Sequence, residues 1–90
     1  MDYQIYTTRY FDRQALKFFK KQPEYKKTFV TALKGLKADP LNGAKIKKLT
    51  NVPGGEGSWR YRIKQARIRY DVAGSRITLI SIGMRKDIYR

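Results

Sequence analysis

The sequence predicts an α+β fold in the order β-α-α-β-β-β, a small, mainly antiparallel sheet with a helical hairpin packed on one face. Three observations carry that prediction. Apolar residues between Phe11 and Leu36 recur at three- and four-residue spacing, the period of a buried helix face. Pro23 cuts that stretch into two halves. From Trp59 onward the pattern switches to alternation, the period of a strand.

Each element has its own signal. Residues 3–8 (Tyr-Gln-Ile-Tyr-Thr-Thr) are rich in β-formers and read as a first strand. Phe11, Ala15 and Phe19, with Leu16 and Phe18 beside them, give a helical face running to about Lys20. Pro23 suits the first position of a second helix, where its missing N–H is not needed. That helix turns Tyr25, Phe29, Ala32 or Leu33, and Leu36 inward and stops before Asp39-Pro40. Residues 41–44 form a loop. Residues 45–49 (Lys-Ile-Lys-Lys-Leu) are a basic segment with two apolar anchors, and residues 50–57, with one Pro and three Gly, are a loop. In residues 59–64 Trp59, Tyr61 and Ile63 share one face, and Arg60, Arg62 and Lys64 the other. In residues 67–72 Ile68, Tyr70 and Val72 oppose Arg67, Arg69 and Asp71. A turn at Gly74-Ser75 leads into the nearly continuous apolar run 76–82, an interior strand, which Gly83 is expected to end before a short tail.

Ninety residues make one domain, 1–90, with a single core and no deep cofactor cavity. A hydrophobic content of 41%, with seven Tyr, four Phe and one Trp, is enough for folding. Twenty-one Lys and Arg against seven Asp and Glu leave a net charge of +14, which repels itself on compaction and suits a polyanionic partner. The chain has no Cys and no His, which removes disulfides, thiolate sites and the commonest metal ligand and acid–base group. No cofactor and no metal is expected. No apolar run approaches the roughly 18 residues of a membrane span and the N-terminus does not resemble a signal peptide, so the expected location is the cytoplasm, away from membranes.

The bases are not uniform in kind. Ten of the twelve Lys precede residue 58, whereas seven of the nine Arg follow it. Arg offers a planar fork that fits phosphate oxygens, while Lys is a flexible point charge. The last third therefore reads as a place where phosphates are held in fixed geometry. The Lys-rich helices read more simply as a solvated face.

If both apolar rows of the two Arg-rich strands face the helices, two registers are permitted. One sets Arg62 against Arg69 and Lys64 against Arg67; the other sets Arg62 against Arg67 and Arg60 against Arg69. Either places like charges face to face, at about 0.2–1 kcal/mol per pair. Local rules broken in this way mark functional sites. The bland alternative is that Arg60 pairs with Asp71, as the first register allows, and the rest splay into water. The functional reading is a phosphate cradle of Arg60, Arg62 and Arg67 on rigid strands.

The chain resembles the RelE-like toxins of prokaryotic toxin–antitoxin pairs, within the wider RelE/ParE superfamily. The resemblance runs through Phe-Asp-Arg (11–13), the Leu-x-x-x-Pro helix end (36–40), Trp-Arg-Tyr-Arg-Ile (59–63), Arg-Ile-Arg-Tyr (67–70) and the closing Gly-x-Arg-Lys-Asp-Ile-Tyr (83–89). It implies an endoribonuclease that enters the ribosomal A site and cuts mRNA by attack of a 2′-hydroxyl on the adjacent phosphate, without metal, and that is neutralised by a cognate antitoxin protein. It further implies that Arg60 and Arg62 are the basic pair of the second strand, Arg67 the phosphate-binding Arg, Arg85 the aid to the leaving group and Tyr89 the C-terminal Tyr; the remaining bases nearby, Lys45, Lys47, Lys48, Lys64 and Arg69, are expected to bind RNA. A Tyr hydroxyl among guanidinium groups is expected to titrate low, and so to serve as a proton acceptor.

The sequence departs from the family pattern at Lys64 and Ala66, where relatives carry Gly and an aromatic, and at Met84, often His. Arg at both 60 and 62 leaves no lysine base there, because Arg keeps its proton, so the base is Tyr89, Lys45 or Lys47, or is shared. Seven scattered acids do not make the carboxylate cluster a metal-dependent nuclease needs. Two other functions fit the same fold: a non-nuclease toxin of the ParE branch acting on DNA gyrase, and a plain RNA-binding module.

Overall fold

A computed structural model of the chain describes residues 3–85. Strand β1 (Gln4–Thr7) leads directly into helix α1 (Arg9–Lys21). Thr8 makes that junction: its backbone is extended, and its Oγ accepts the Phe11 N–H at 3.0 Å, a cap that typically stabilises a helix by about 1 kcal/mol. Asp12 in the first turn and Lys20 and Lys21 in the last have the signs that the helix dipole favours.

Helix α2 (Tyr25–Ala38) starts two residues later than the sequence suggests. Pro23 lies in a tight turn instead, where Gln22 O accepts from Tyr25 N and Pro23 O from Lys26 N, and Glu24 occupies the cap without a side-chain bond. Asp39 and Pro40 end the helix as expected. The Asp39 carboxylate accepts the Leu41 and Asn42 N–H groups, and the Leu41 bond above all holds its pKa below the ordinary value. The helices join through aromatic contacts, Phe19–Phe29 at 5.1 Å and Phe18–Tyr25 at 5.4 Å. Tyr25, Ala32 and Leu36 are buried and Phe29 and Leu33 half-buried, so the expected inward face is the one adopted.

Among the described residues the sheet holds five strands in the order β1-β5-β4-β3-β2, one more than the sequence predicts. The basic segment is itself a strand, β2 (Ile46–Lys48), because β3 (Trp59–Ile63) offers it an antiparallel ladder: Ile46↔Tyr61, Lys47↔Arg60, Lys48↔Trp59. Strand β4 (Ala66–Ala73) pairs with β3 on one side and with β5 (Arg76–Met84) on the other, and β1 joins β5 in parallel. Gly83 does not end β5. The ladder continues through Arg67↔Gly83 and Ala66↔Met84, and those hydrogen bonds outweigh the weak strand propensity of Gly. The register slips once, between Arg69↔Ser81 and Tyr70↔Leu79, leaving Ile80 as a bulge.

One face of the sheet is closed by the helices. Ile63, Ile68, Tyr70, Ile77, Leu79 and Ile82 are all at most 2% exposed there. The Tyr70 hydroxyl reaches across to Pro40 O at 2.7 Å and pins the loop after α2; burial, reinforced by Tyr61 and Asp39, pushes its pKa well up. Gln14 of α1 covers the part of β5 that β1 leaves unpaired, its Oε1 accepting the Ile82 N–H at 2.7 Å.

Candidate functional site

The second of the two permitted registers is adopted: Arg60 faces Arg69 and Arg62 faces Arg67. Residues directly opposite in a ladder point to the same side, so Lys47, Arg60 and Arg69 form a continuous row across β2, β3 and β4, on the face away from the helices. A second row lies alongside. Lys45 O accepts the Arg62 N–H at 2.9 Å, which brings Lys45 beside Arg62, then Arg67, then Gly83. Arg85 N donates to Gln65 O at 2.8 Å, fastening the start of the closing segment to the β3–β4 turn at the end of that row.

Within these rows the guanidinium groups have unlike surroundings. Arg62 is exposed and Arg60 half-buried. Arg67 is 5% exposed, its Nη1 donating to Ala66 O at 2.9 Å and Lys64 O at 3.2 Å, so it is turned back on the β3–β4 turn and braces it from within. Arg69 is half-buried with Nε on Gly57 O at 3.1 Å, holding the end of the 50–57 loop against the sheet. Asp71 completes that clasp by accepting the Gly57 and Ser58 N–H groups at 3.2 and 2.8 Å. In the adopted register Asp71 lies opposite Thr78 rather than Arg60, and its carboxylate serves the loop. Gly57 is required there: its φ is +84°, and a Cβ would lie 2.8 Å from Arg69 Cβ.

Two of the expected lysines belong elsewhere. Lys48 lies opposite Trp59 with its Nζ 5.7 Å from that ring's centroid, on the other side of the strand from Lys47. Lys64 sits in the hairpin turn with φ +55° and its Nζ 6.0 Å from the Tyr25 ring centroid, and the Tyr25 hydroxyl accepts the Gln65 N–H. Lys45, Lys47, Arg60 and Arg62 thus form the presented basic surface, with Arg67 beneath it and Arg85 at its end. Tyr89 lies outside the described residues.

Sequence reasoning missed the Gly57–Arg69–Asp71 clasp. Its signals were present: a lone acid in a basic strand, and a Gly just before a strand begins. It also missed Arg76, whose guanidinium carbon stands 4.5 Å from the Tyr6 ring centroid at the far end of the sheet. Among the described residues no three Asp or Glu gather in a metal-binding group, and no helix is long and apolar enough to cross a membrane. An apolar cleft of about 640 Å³ lies in the helical layer, lined by Ile5, Phe11, Phe19, Phe29 and Leu33, away from the arginines.

Comparison with known families decides the kinship. The model of the ParE toxin of the type II toxin–antitoxin system, parDE, matches residues 10–89. The chain belongs to that family. It is a type II toxin of the RelE/ParE superfamily, and a toxin of this type has a cognate antitoxin as its partner. No curated protein matches the chain. The matched span takes in both helices, all the basic strands and the closing segment, so the presented surface lies wholly within the family domain.

Proposed function

We propose that this toxin is a ribosome-dependent mRNA endoribonuclease of the RelE type, acting in the cytoplasm. The observation that carries the reading is the pairing of Arg60 with Arg69 and Arg62 with Arg67, flanked by Lys47 and Lys45. An RNA strand lying across these rows would meet the cations of Lys45, Lys47, Arg60 and Arg62 on one face, the kind of surface that attracts a phosphate backbone.

The reaction balances without a bound ion. The 2′-oxygen forms a bond to phosphorus and the bond to the 5′-oxygen breaks, leaving a 2′,3′-cyclic phosphate and a 5′-hydroxyl. One proton leaves the 2′-hydroxyl and one is delivered to the 5′-oxygen. Arg62 and Arg60 hold the charge that develops on the phosphoryl oxygens, from strands that need no rearrangement. Arg67 acts through the turn that it braces. Arg85 is assigned to the leaving oxygen; Tyr89, Lys45 or Lys47 takes the first proton. Orientation contributes much of the remainder, up to about 7–11 kcal/mol in well-aligned systems, and a ribosome that presents the codon provides it.

A ParE-branch toxin that acts on DNA gyrase and cuts no RNA is the second reading, favoured by the description of the matched family itself. Induction of the toxin followed by mapping of mRNA 5′ ends separates the two. Cuts inside translated codons are expected, and should fall about 100-fold with Arg62→Ala and be lost with Arg85→Ala or Tyr89→Ala. DNA damage with intact mRNA would replace this reading by the gyrase one.

A further inference from the structure

Strand β1 covers only the first part of β5. It pairs with residues 76–79, whereas β5 continues to Met84, so the last residues of β5 leave the sheet edge to helix α1. Gln14 is the wall there, held at both ends: its Oε1 accepts the Ile82 N–H at 2.7 Å and its Nε2 donates to the Tyr10 hydroxyl at 3.3 Å. Beyond Gln14 the helix and the strand part around a second cleft of about 570 Å³, a volume typical of small-molecule sites. Its floor is apolar, from Phe18, Ile82 and Met84, and its rim carries Lys17, Lys20 and Lys21, all exposed. Among the described residues no acid lines it. An apolar floor under a lysine rim suits a nucleotide, whose base stacks on apolar groups and whose phosphate is anionic. Gln22 in the same wall offers an amide, with donor and acceptor, to a base edge.

The cleft is continuous with the basic surface. Gly83 ends the row that runs through Lys45, Arg62 and Arg67, and it lines the cleft as well. It places no side chain at the crossing. We propose that the RNA strand turns over the end of β5 into this cleft, which binds the nucleotide on the 3′ side of the scissile phosphate. The site deepens the nuclease reading and rests on it for the identity of that nucleotide. The order follows from Arg85, which is fastened at the same end of the row and is assigned to the leaving oxygen. That oxygen belongs to the 3′ nucleotide, so this nucleotide lies toward the cleft and its 5′ neighbour toward Lys45 and Lys47. Lys17 and Lys21 then meet the next phosphate, and the base rests on Phe18 and Met84.

The test uses the full-length toxin and a 2′-O-methyl tetranucleotide, which binds without being cleaved, carrying 4-thiouridine at its first or its last position. Irradiation should join the last position to residues 17–22 or 82–84, and the first to residues 45–47 or 60–62. Lys17→Ser/Lys21→Ser should weaken binding about tenfold at about 0.1 M salt. Lys27→Ser/Lys34→Ser removes the same charge from α2 and should change binding by less than about twofold. All four side chains are exposed, and melting curves verify folding. Last-position cross-links on the sheet rows alone, a reversed order along the strand, equal effects of the two double variants, or absence of binding by the wild type would each overturn the proposal. None of these measurements requires cleavage. Intact mRNA on induction strikes the nuclease reading, while an oligonucleotide seated in the cleft upholds the site.

Discussion

Arg62 and Arg67 stand opposite each other in one ladder, yet their environments differ completely. Arg62 lies beside the margin strand and is exposed. Arg67 lies one strand further in, is 5% exposed, and gives its Nη1 to two backbone carbonyls of the turn. The difference teaches that burial in this sheet is set by distance from the margin as well as by face. Near β2, the outer side is open and basic side chains are presented. Toward β4 and β5, loop and turn close over it, and the same residue type becomes part of the framework. Charge is thus concentrated where a partner reaches it, on a base held by a buried apolar core.

The comparison can be broken hardest from the buried side. Leu36→Ala or Ile68→Ala removes a side chain that is 0% exposed, and should lower unfolding stability by about 2–5 kcal/mol in a denaturant titration. Tyr70→Phe leaves Pro40 O without its donor and should cost about 1–3 kcal/mol. That cost depends on pH. Because the folded state raises the pKa of Tyr70, the stability it contributes is complete below the unfolded value of about 10 and is lost as pH rises beyond it. Melting curves of the wild type and Tyr70→Phe should therefore converge above pH 10. A constant gap would place the origin of the effect elsewhere.

Smaller effects sharpen the outer face. Arg60→Thr removes one cation from the outer row and should weaken oligonucleotide binding while changing the stability of the isolated toxin by less than about 1 kcal/mol. A larger loss of stability would mean that Arg60 is framework, as Arg67 is. Lys64→Gly relieves a side chain held at φ +55°, and should leave stability within about 1 kcal/mol of the wild type or above it.

Most of the fold was legible because period and punctuation agreed. The α1 and α2 faces, the Asp39-Pro40 stop and the switch to alternation at Trp59 all follow from local chemistry. Strand β2 was not legible, because three residues carry too little periodicity and its existence depends on a ladder supplied by β3. The register was half legible: parity left two choices, and the loop clasped by Arg69 and Asp71 accompanies the one adopted. At the site, the convergence of Arg60 and Arg62 could be read from alternation. The inward turn of Arg67 and the ring contacts of Lys48 and Lys64 could not, since each depends on a neighbour distant in sequence or on how a long side chain bends.

The parallel pairing of Gln4 with Arg76 joins the first strand to the last. During synthesis, at ~5–20 residues per second, β1 leaves the peptidyl-transferase centre several seconds before its partner has been made. The sheet can be completed only after residue 84 has been made, so a message terminated before β5 yields a fragment without its closing strand. Limited proteolysis of nascent chains stalled before and after Leu79 would date that completion.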